Sequence, residues 1–326
     1  MKTRLQHLLL GLGVSCFAVT TSAQSLTKLI FTTNWLAQAE HGGFYQAQAD
    51  GIYKKYGLDV DVRMGGPQVN VMQLLLAGQA DLIMGYDLQT LSGIEQGLPI
   101  VTIAATFQKD PAVLIAHPGV KTLPELKSRT LLIGQASETT FWPWLKNKYG
   151  FTDTQKRPYA FSVQPFLANR NAAQQGYATS EPFSIEQGGI KPVVFLLADS
   201  GYPPYAETIV TLRQTLNTKN AALQRFVQAS AEGWRSYLAN PASGNALIKR
   251  ANPEMSDELL AFGVAKMKQY GLVTGGDAAK RGIMTMTDQR WKATSDFMFS
   301  AGLLQAPIDY KMAYTLDIVN RVRVVP

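Results

Sequence analysis

Few side chains in this sequence can do covalent or metal chemistry. There is one cysteine, Cys16, and there are three histidines, His7, His41 and His117. The histidines stand far apart and lack the close pairing that metal-binding motifs use. No phosphate-cradling Gly-x-x-x-x-Gly-Lys loop, dinucleotide glycine fingerprint or Gly-x-Ser-x-Gly elbow occurs. The expectation is therefore no catalytic residues, no metal and no cofactor. What the chain does offer is polar and aromatic residues at turns after strand-like runs, the chemistry of non-covalent capture. Trp35 ends an apolar run, where an indole either packs inward or presents a flat face for a ring. His41 serves as a helix cap or as a ligand contact. Gln68 and Asn70 open a helix after a tight turn, and the alternative to solute contact is simple capping. Tyr86 ends a strand and faces a cleft, while Asp87 beside it is read as an N-cap. Ser137 and Thr139 flank Glu138 at a second helix start, a place that welcomes an oxyanion, although Glu138 opposes a strongly anionic group. Glu181 precedes Pro182, which biases its backbone toward extended, and its carboxylate either accepts a solute amino group or caps the next helix.

The elements that position these residues are legible in the pattern. Lys28 to Trp35 reads as a strand. Gly42-Gly43 turns into a helix through Tyr45, Ala49 and Tyr53, closed at Gly57. Asp59 to Arg63 is a strand, Gly65-Gly66-Pro67 a sharp turn, and Val69 to Ala77 a helix. Asp81 to Gly85 and Ile100 to Phe107 are strands either side of a helix that ends at Gly97. This alternation predicts α/β layers with helices on both faces of a mainly parallel sheet. In such sheets ligands bind where strands end and helices begin, because free N–H groups point out of helix starts.

A second alternating block begins near Asp110-Pro111. Strands are expected at Ala112 to Ala116, Thr130 to Gly134, Phe161 to Gln164, Ala172 to Ala178 and Pro192 to Leu197. Gln135 to Glu138 leads into a helix bearing Trp142 and Trp144. These two lie on opposite sides of it, so at most one enters a cleft. Gly201 to Tyr205 reads as a strap returning the chain to the first block, and the chain is mostly helical from Ala221. The organisation is thus residues 24–110 plus 205–326 as one lobe and 111–204 as the other. Two crossovers between lobes make a hinge.

Lys2 and Arg4, the apolar run Leu8 to Val19, and Thr21-Ser22-Ala23 form a secretory signal, residues 1–23. The run is too short to span a bilayer, and Val14-Ser15 is a poor lead-in for lipidation of Cys16. Removing this segment leaves no cysteine, which excludes disulfides and thiolate chemistry. Hydrophobic residues make up 46% and charged residues 17%, enough apolar content for a real core. Formal net charge is +7, with the basic residues scattered, so no nucleic-acid footprint is present.

Asn34-Trp35, His41-Gly42-Gly43-Phe44-Tyr45, Gly51-Ile52-Tyr53 and Gly57-Leu58-Asp59-Val60 together resemble the opening of the thiamine-pyrimidine-precursor binding proteins. These belong to a broad group with the nitrate, taurine and alkanesulfonate binding proteins of ABC importers. Gly65-Gly66-Pro67, Leu75 to Asp81 and Thr179 to Phe183 look like the same group. The resemblance implies a two-lobed periplasmic-binding fold of type II, each lobe a mostly parallel sheet flanked by helices, with the solute in the cleft. It implies a monomeric periplasmic protein that closes on a small heterocycle and docks on an importer permease. Alkanesulfonate, taurine, nitrate or an aromatic acid is the alternative solute. Asn34 and Trp35 would lie in the cleft with the indole stacked on the ring. Tyr177 and Glu181 are the second-lobe counterparts. Fungal pyrimidine synthases share the fold and are enzymes, but their pattern includes a cysteine-rich motif that this chain lacks.

Overall fold

A computed structural model describes residues 25–66 and 68–326. The segment read as a secretory signal, with Cys16, and Pro67 lie outside the described residues. Ten strands form two five-stranded sheets. β1 (Thr27–Thr32), β2 (Leu58–Arg63), β3 (Leu82–Gly85), β4 (Ile100–Phe107) and β10 (Ala206–Leu212) make the first, in the order β2-β1-β3-β10-β4. β5 (Ala112–Ala116), β6 (Thr130–Ile133), β7 (Lys156–Pro158), β8 (Ala172–Tyr177) and β9 (Val193–Leu196) make the second, in the order β7-β6-β8-β5-β9. In each sheet one strand runs against the other four. β10 is antiparallel to β3 and β4, and β5 is antiparallel to β8 and β9. β4 and β3 are buried along their whole lengths, as strands covered on both faces must be. Among the described residues no helix is long and apolar enough to cross a membrane.

The strand expected over Phe161 to Gln164 is not formed. The edge strand is Lys156–Pro158, and Gln164–Ala168 is helical. Pro165 sits in the first turn of that helix, where its fixed φ is favourable, and Phe161 has φ 56, which breaks an extended run. β10, absent from the sequence reading, follows the Pro203-Pro204 strap directly. Its sequence, Ala-Glu-Thr-Ile-Val-Thr-Leu, is rich in β-branched residues, and it inserts between β3 and β4. The helix that follows starts at Arg213 rather than near Ala221. Trp142 and Trp144 are both buried. The first donates to Asp153 at 2.7 Å and the second packs on Tyr202 at 5.3 Å.

Gly42 and Gly43 do more than turn the chain. They begin the helix Gly42–Ala49, which lies flat on the long helix Arg213–Ala239. A Cβ on Gly42 would fall 2.0 Å from the Tyr237 ring, and one on Gly43 2.2 Å from Trp234. The close approach fixes the segment after β1, and with it Asn34, Trp35 and Glu40. Gly43→Ala should lower unfolding stability by about 3 kcal/mol, the upper end of overpacking costs. A urea midpoint equal to wild type would show that the two helices can separate freely.

Candidate ligand-binding cleft

The chain passes between the lobes twice, from β4 to β5 and from β9 to β10. Both passages are held by the helix Asp288–Ser300. Arg290 donates to the Gln108 carbonyl in the first passage (3.0 Å) and to the Pro203 carbonyl in the second (2.8 and 3.1 Å). Its guanidinium lies 4.4 Å from the Tyr205 ring centre. Asp87 completes the brace. The sequence reads it as an N-cap, but Tyr86 occupies the cap position. Asp87 is instead fully buried and accepts from Tyr205 N–H (2.9 Å) and Thr294 Oγ1 (3.0 Å). Burial pushes its carboxyl up to about 6, against those hydrogen bonds and the Arg290 charge.

Three side-chain pairs join the lobes in the region between the passages, and others such as Phe183 on Phe262 join them elsewhere. Tyr86 and Tyr177 share a hydroxyl–hydroxyl hydrogen bond. Thr179 donates to Glu40. The Trp35 ring sits 5.5 Å from the ring of Phe161, tilted by 36°. Phe161 is 68% exposed, which leaves an aromatic jaw at the surface. A ring inserted into it needs about 7 Å between the flanking planes, twice a carbon–carbon contact, so the jaw must open by roughly 2 Å.

Three carboxyls meet behind this jaw. Glu40 lies on the turn Ala39–His41, Asp110 on the first passage, and Glu207 at the start of β10. All three are buried. Burial raises the Glu40 and Glu207 pKa values, Glu207 well above the usual range, and the two repel each other across the cleft floor. Asp110 is pushed up to about 7 by burial, with the Asp87 charge adding and the Ala112 N–H opposing. The interactions acting on these three include hydroxyl, amide and backbone hydrogen bonds and other carboxyls, and no lysine or arginine. Glu207 Oε2 has no hydrogen-bond partner among the described residues. Burial also lifts the Tyr86 and Tyr177 phenols well above their ordinary value, so both are neutral donors.

The residues named from sequence divide into four groups. Asn34, Trp35, Tyr86 and Tyr177 come together here. The Asn34 amide opposes the rise in the Glu207 pKa, and its Oδ1 lies 3.3 Å from His41 Nε2. His41 is fully buried with its pKa lowered to about 3 by burial, so the imidazole is neutral and orients Asn34. Glu181 is adjacent but saturated: it accepts from Tyr159 (3.0 Å), Ser180 (2.6 Å) and the Tyr177 N–H (2.7 Å). Gln68 and Asn70 line an open groove of about 520 Å³ with Thr32 and Arg63, whose walls include none of the four clustered residues. Asn70 caps its helix by accepting from Gln73 N–H at 3.1 Å. Ser137 and Thr139 lie on a 3-10 turn, Gln135–Thr139, ahead of the α-helix Phe141–Tyr149. The Ser137 hydroxyl donates to Gln175 at 2.8 Å. Sequence reasoning missed Glu40, Asp110, Glu207 and Phe161. The one available signal was an acid inside a β-branched run at Glu207.

A family model described as NMT1/THI5 like matches residues 38–243. The riboflavin-binding protein RibY of Chloroflexus aurantiacus is 25% identical over 311 residues, covering 90% of this chain and 87% of the relative. The 4-amino-5-hydroxymethyl-2-methylpyrimidine phosphate synthase THI11 of Saccharomyces cerevisiae is 26% identical over 85 residues, 26% of this chain and 25% of the relative. Among solved structures, the periplasmic aliphatic sulphonate binding protein SsuA of Escherichia coli superposes with a TM-score of 0.68 at 14% identity, over 88% of this chain and 92% of that one. This likeness establishes the two-lobed periplasmic-binding fold.

The buried acids set a pH dependence. A raised carboxyl pKa means that the folded chain keeps a proton which the unfolded chain, with a pKa near 4, releases. The stability from Asp110 is full below about pH 4 and is lost as pH rises to about 7. Asp110→Asn keeps an acceptor for Ala112 N–H. It should raise the melting temperature at pH 8 and remove up to one proton, about 1.4 kcal/mol per pH unit, from the slope. A slope identical to wild type would assign the dependence to other groups.

Proposed function

The chain belongs to the NMT1/THI5-like family, and we propose that it is the periplasmic solute-binding component of an ABC importer, capturing a flat nitrogen heterocycle by lobe closure. The observation that carries this reading is the cleft itself. An aromatic jaw, Trp35 and Phe161, stands over a floor of amide, phenol and carboxyl groups with no basic side chain acting on the acids. Flat rings stack on such a jaw, and the floor accepts hydrogen bonds from ring amino groups. A sulfonate or nitrate would meet buried carboxyls and no compensating cation, which disfavours anions.

The two lobes are read as residues 24–110 plus 205–326 and residues 111–204, in a monomer exported by its first 23 residues. Closure gains the Tyr86–Tyr177 and Thr179–Glu40 contacts and brings Trp35 and Phe161 onto the two faces of the ring. A solute drives closure only by what it adds to the closed form. No catalytic role is assigned: the pyrimidine synthases use a cysteine-rich motif, and the single cysteine here is Cys16. Riboflavin is the second candidate. It is also a flat heteroaromatic, and the relative named for binding it aligns with 90% of this chain.

A thermal-shift panel on the exported chain tests the reading, with aminopyrimidines, thiamine, riboflavin, taurine, alkanesulfonates and nitrate. A ligand at 100 times its Kd adds about 2.7 kcal/mol of stability. We expect a shift with a flat heterocycle, lost in Trp35→Ala. A shift with anions alone, or one that survives Trp35→Ala, overturns the stacking assignment. Chemical turnover of the bound solute overturns the binding-only role.

A further inference from the structure

The acids of this protein fall into two kinds, and the difference bears on the charge of the solute. Asp87 and Glu181 are saturated, each oxygen accepting at least one hydrogen bond from the surrounding chain. Those are structural carboxylates. Glu207 is different. It is 2% exposed, and Oε2 has no partner among the described residues. Its backbone stands at φ 52, a left-handed conformation that a non-glycine residue rarely adopts. Leaving a buried acceptor open costs stability, and so does the backbone conformation.

We propose that the solute captured in this cleft carries a positive charge when bound, an ammonium or amidinium group seated on Glu207 with Glu40 and Asp110 around it. The inference rests on the reading of the cleft as the solute site. Three carboxyls from three separate segments converge there, and the imidazole of His41, near them, is neutral. The other groups facing them are the Tyr86, Tyr177 and Tyr202 phenols, the Asn34 amide, the Thr179 hydroxyl, Glu181 toward Glu40 and Asp87 toward Asp110. None supplies a cation. Burial raises the pKa of all three acids, which favours their neutral forms. A bound cation compensates one carboxylate, and the displaced proton leaves for solvent, so the charge of the cleft is unchanged overall. A neutral solute gains no such compensation.

The test uses the exported chain and three probes: 4-amino-5-aminomethyl-2-methylpyrimidine, its 5-hydroxymethyl analogue and riboflavin. Calorimetry at pH 7.5 should show the aminomethyl compound binding at least tenfold tighter than the hydroxymethyl one. Its binding heat should vary with the ionisation heat of the buffer, reporting about one proton released per solute near pH 6.5. Glu207→Gln should weaken aminomethyl binding at least tenfold more than hydroxymethyl binding and abolish the proton release. The buffer series on the wild-type chain stands even if that variant folds poorly. Hydroxymethylpyrimidine or riboflavin binding as tightly as the aminomethyl compound, with no proton released, overturns the charge assignment and leaves the cleft reading intact. Absence of binding by all three overturns both.

Discussion

The guanidinium of Arg290 meets both segments that pass between the lobes, and the placement of the cleft follows from that contact. A planar fork of N–H donors can satisfy carbonyls from two chains at once, which a lysine cannot do. Gln108 and Pro203 supply those carbonyls, and Tyr205 supplies a ring face. Asp110 stands two residues beyond Gln108, and Glu207 two beyond Tyr205. The brace therefore sets the spacing of the two acids contributed by the hinge. Asp87 ties the same segment to the start of the helix that follows β3, so Tyr86, its chain neighbour, is positioned by the same network.

The third acid arrives by another route. Glu40 is placed by the turn after β1, and that turn is placed by the packing of Gly42 and Gly43 against Tyr237 and Trp234. A helix without side chains on one face can approach its neighbour closely enough to hold a polar turn at the interface. Burial raises the pKa of all three carboxyls, so charging them in the folded chain is costly.

The fold itself is shared by binding proteins and enzymes, so it does not choose between them. The partial likeness to a pyrimidine synthase covers about a quarter of this chain, while the likeness to a riboflavin-binding relative covers nearly all of it. The choice rests on the site. His41, which lies in the stretch resembling the pyrimidine proteins, is buried, neutral and engaged with Asn34, the arrangement of a positioning group.

Local pattern carried the architecture. Strand and helix periods gave the α/β alternation in two blocks, because those periods report which face of an element is buried, while the first strand ends at Thr32 and leaves Trp35 in the bend beyond it. It failed where local signals were overridden or ambiguous. Val163 and Phe161 suggested a strand that Pro165 turned into a helix. The Pro203-Pro204 strap hid β10, and Glu207 went with it. The Asp87 side chain read as a cap because capping is the commonest use of such a residue, and only the packed structure revealed its bonds to Tyr205 and Thr294. The convergence of residues 40, 110 and 207 has no trace in any window of sequence. Their shared burial is created by the hinge, and the pKa of a carboxyl is a property of everything folded around it.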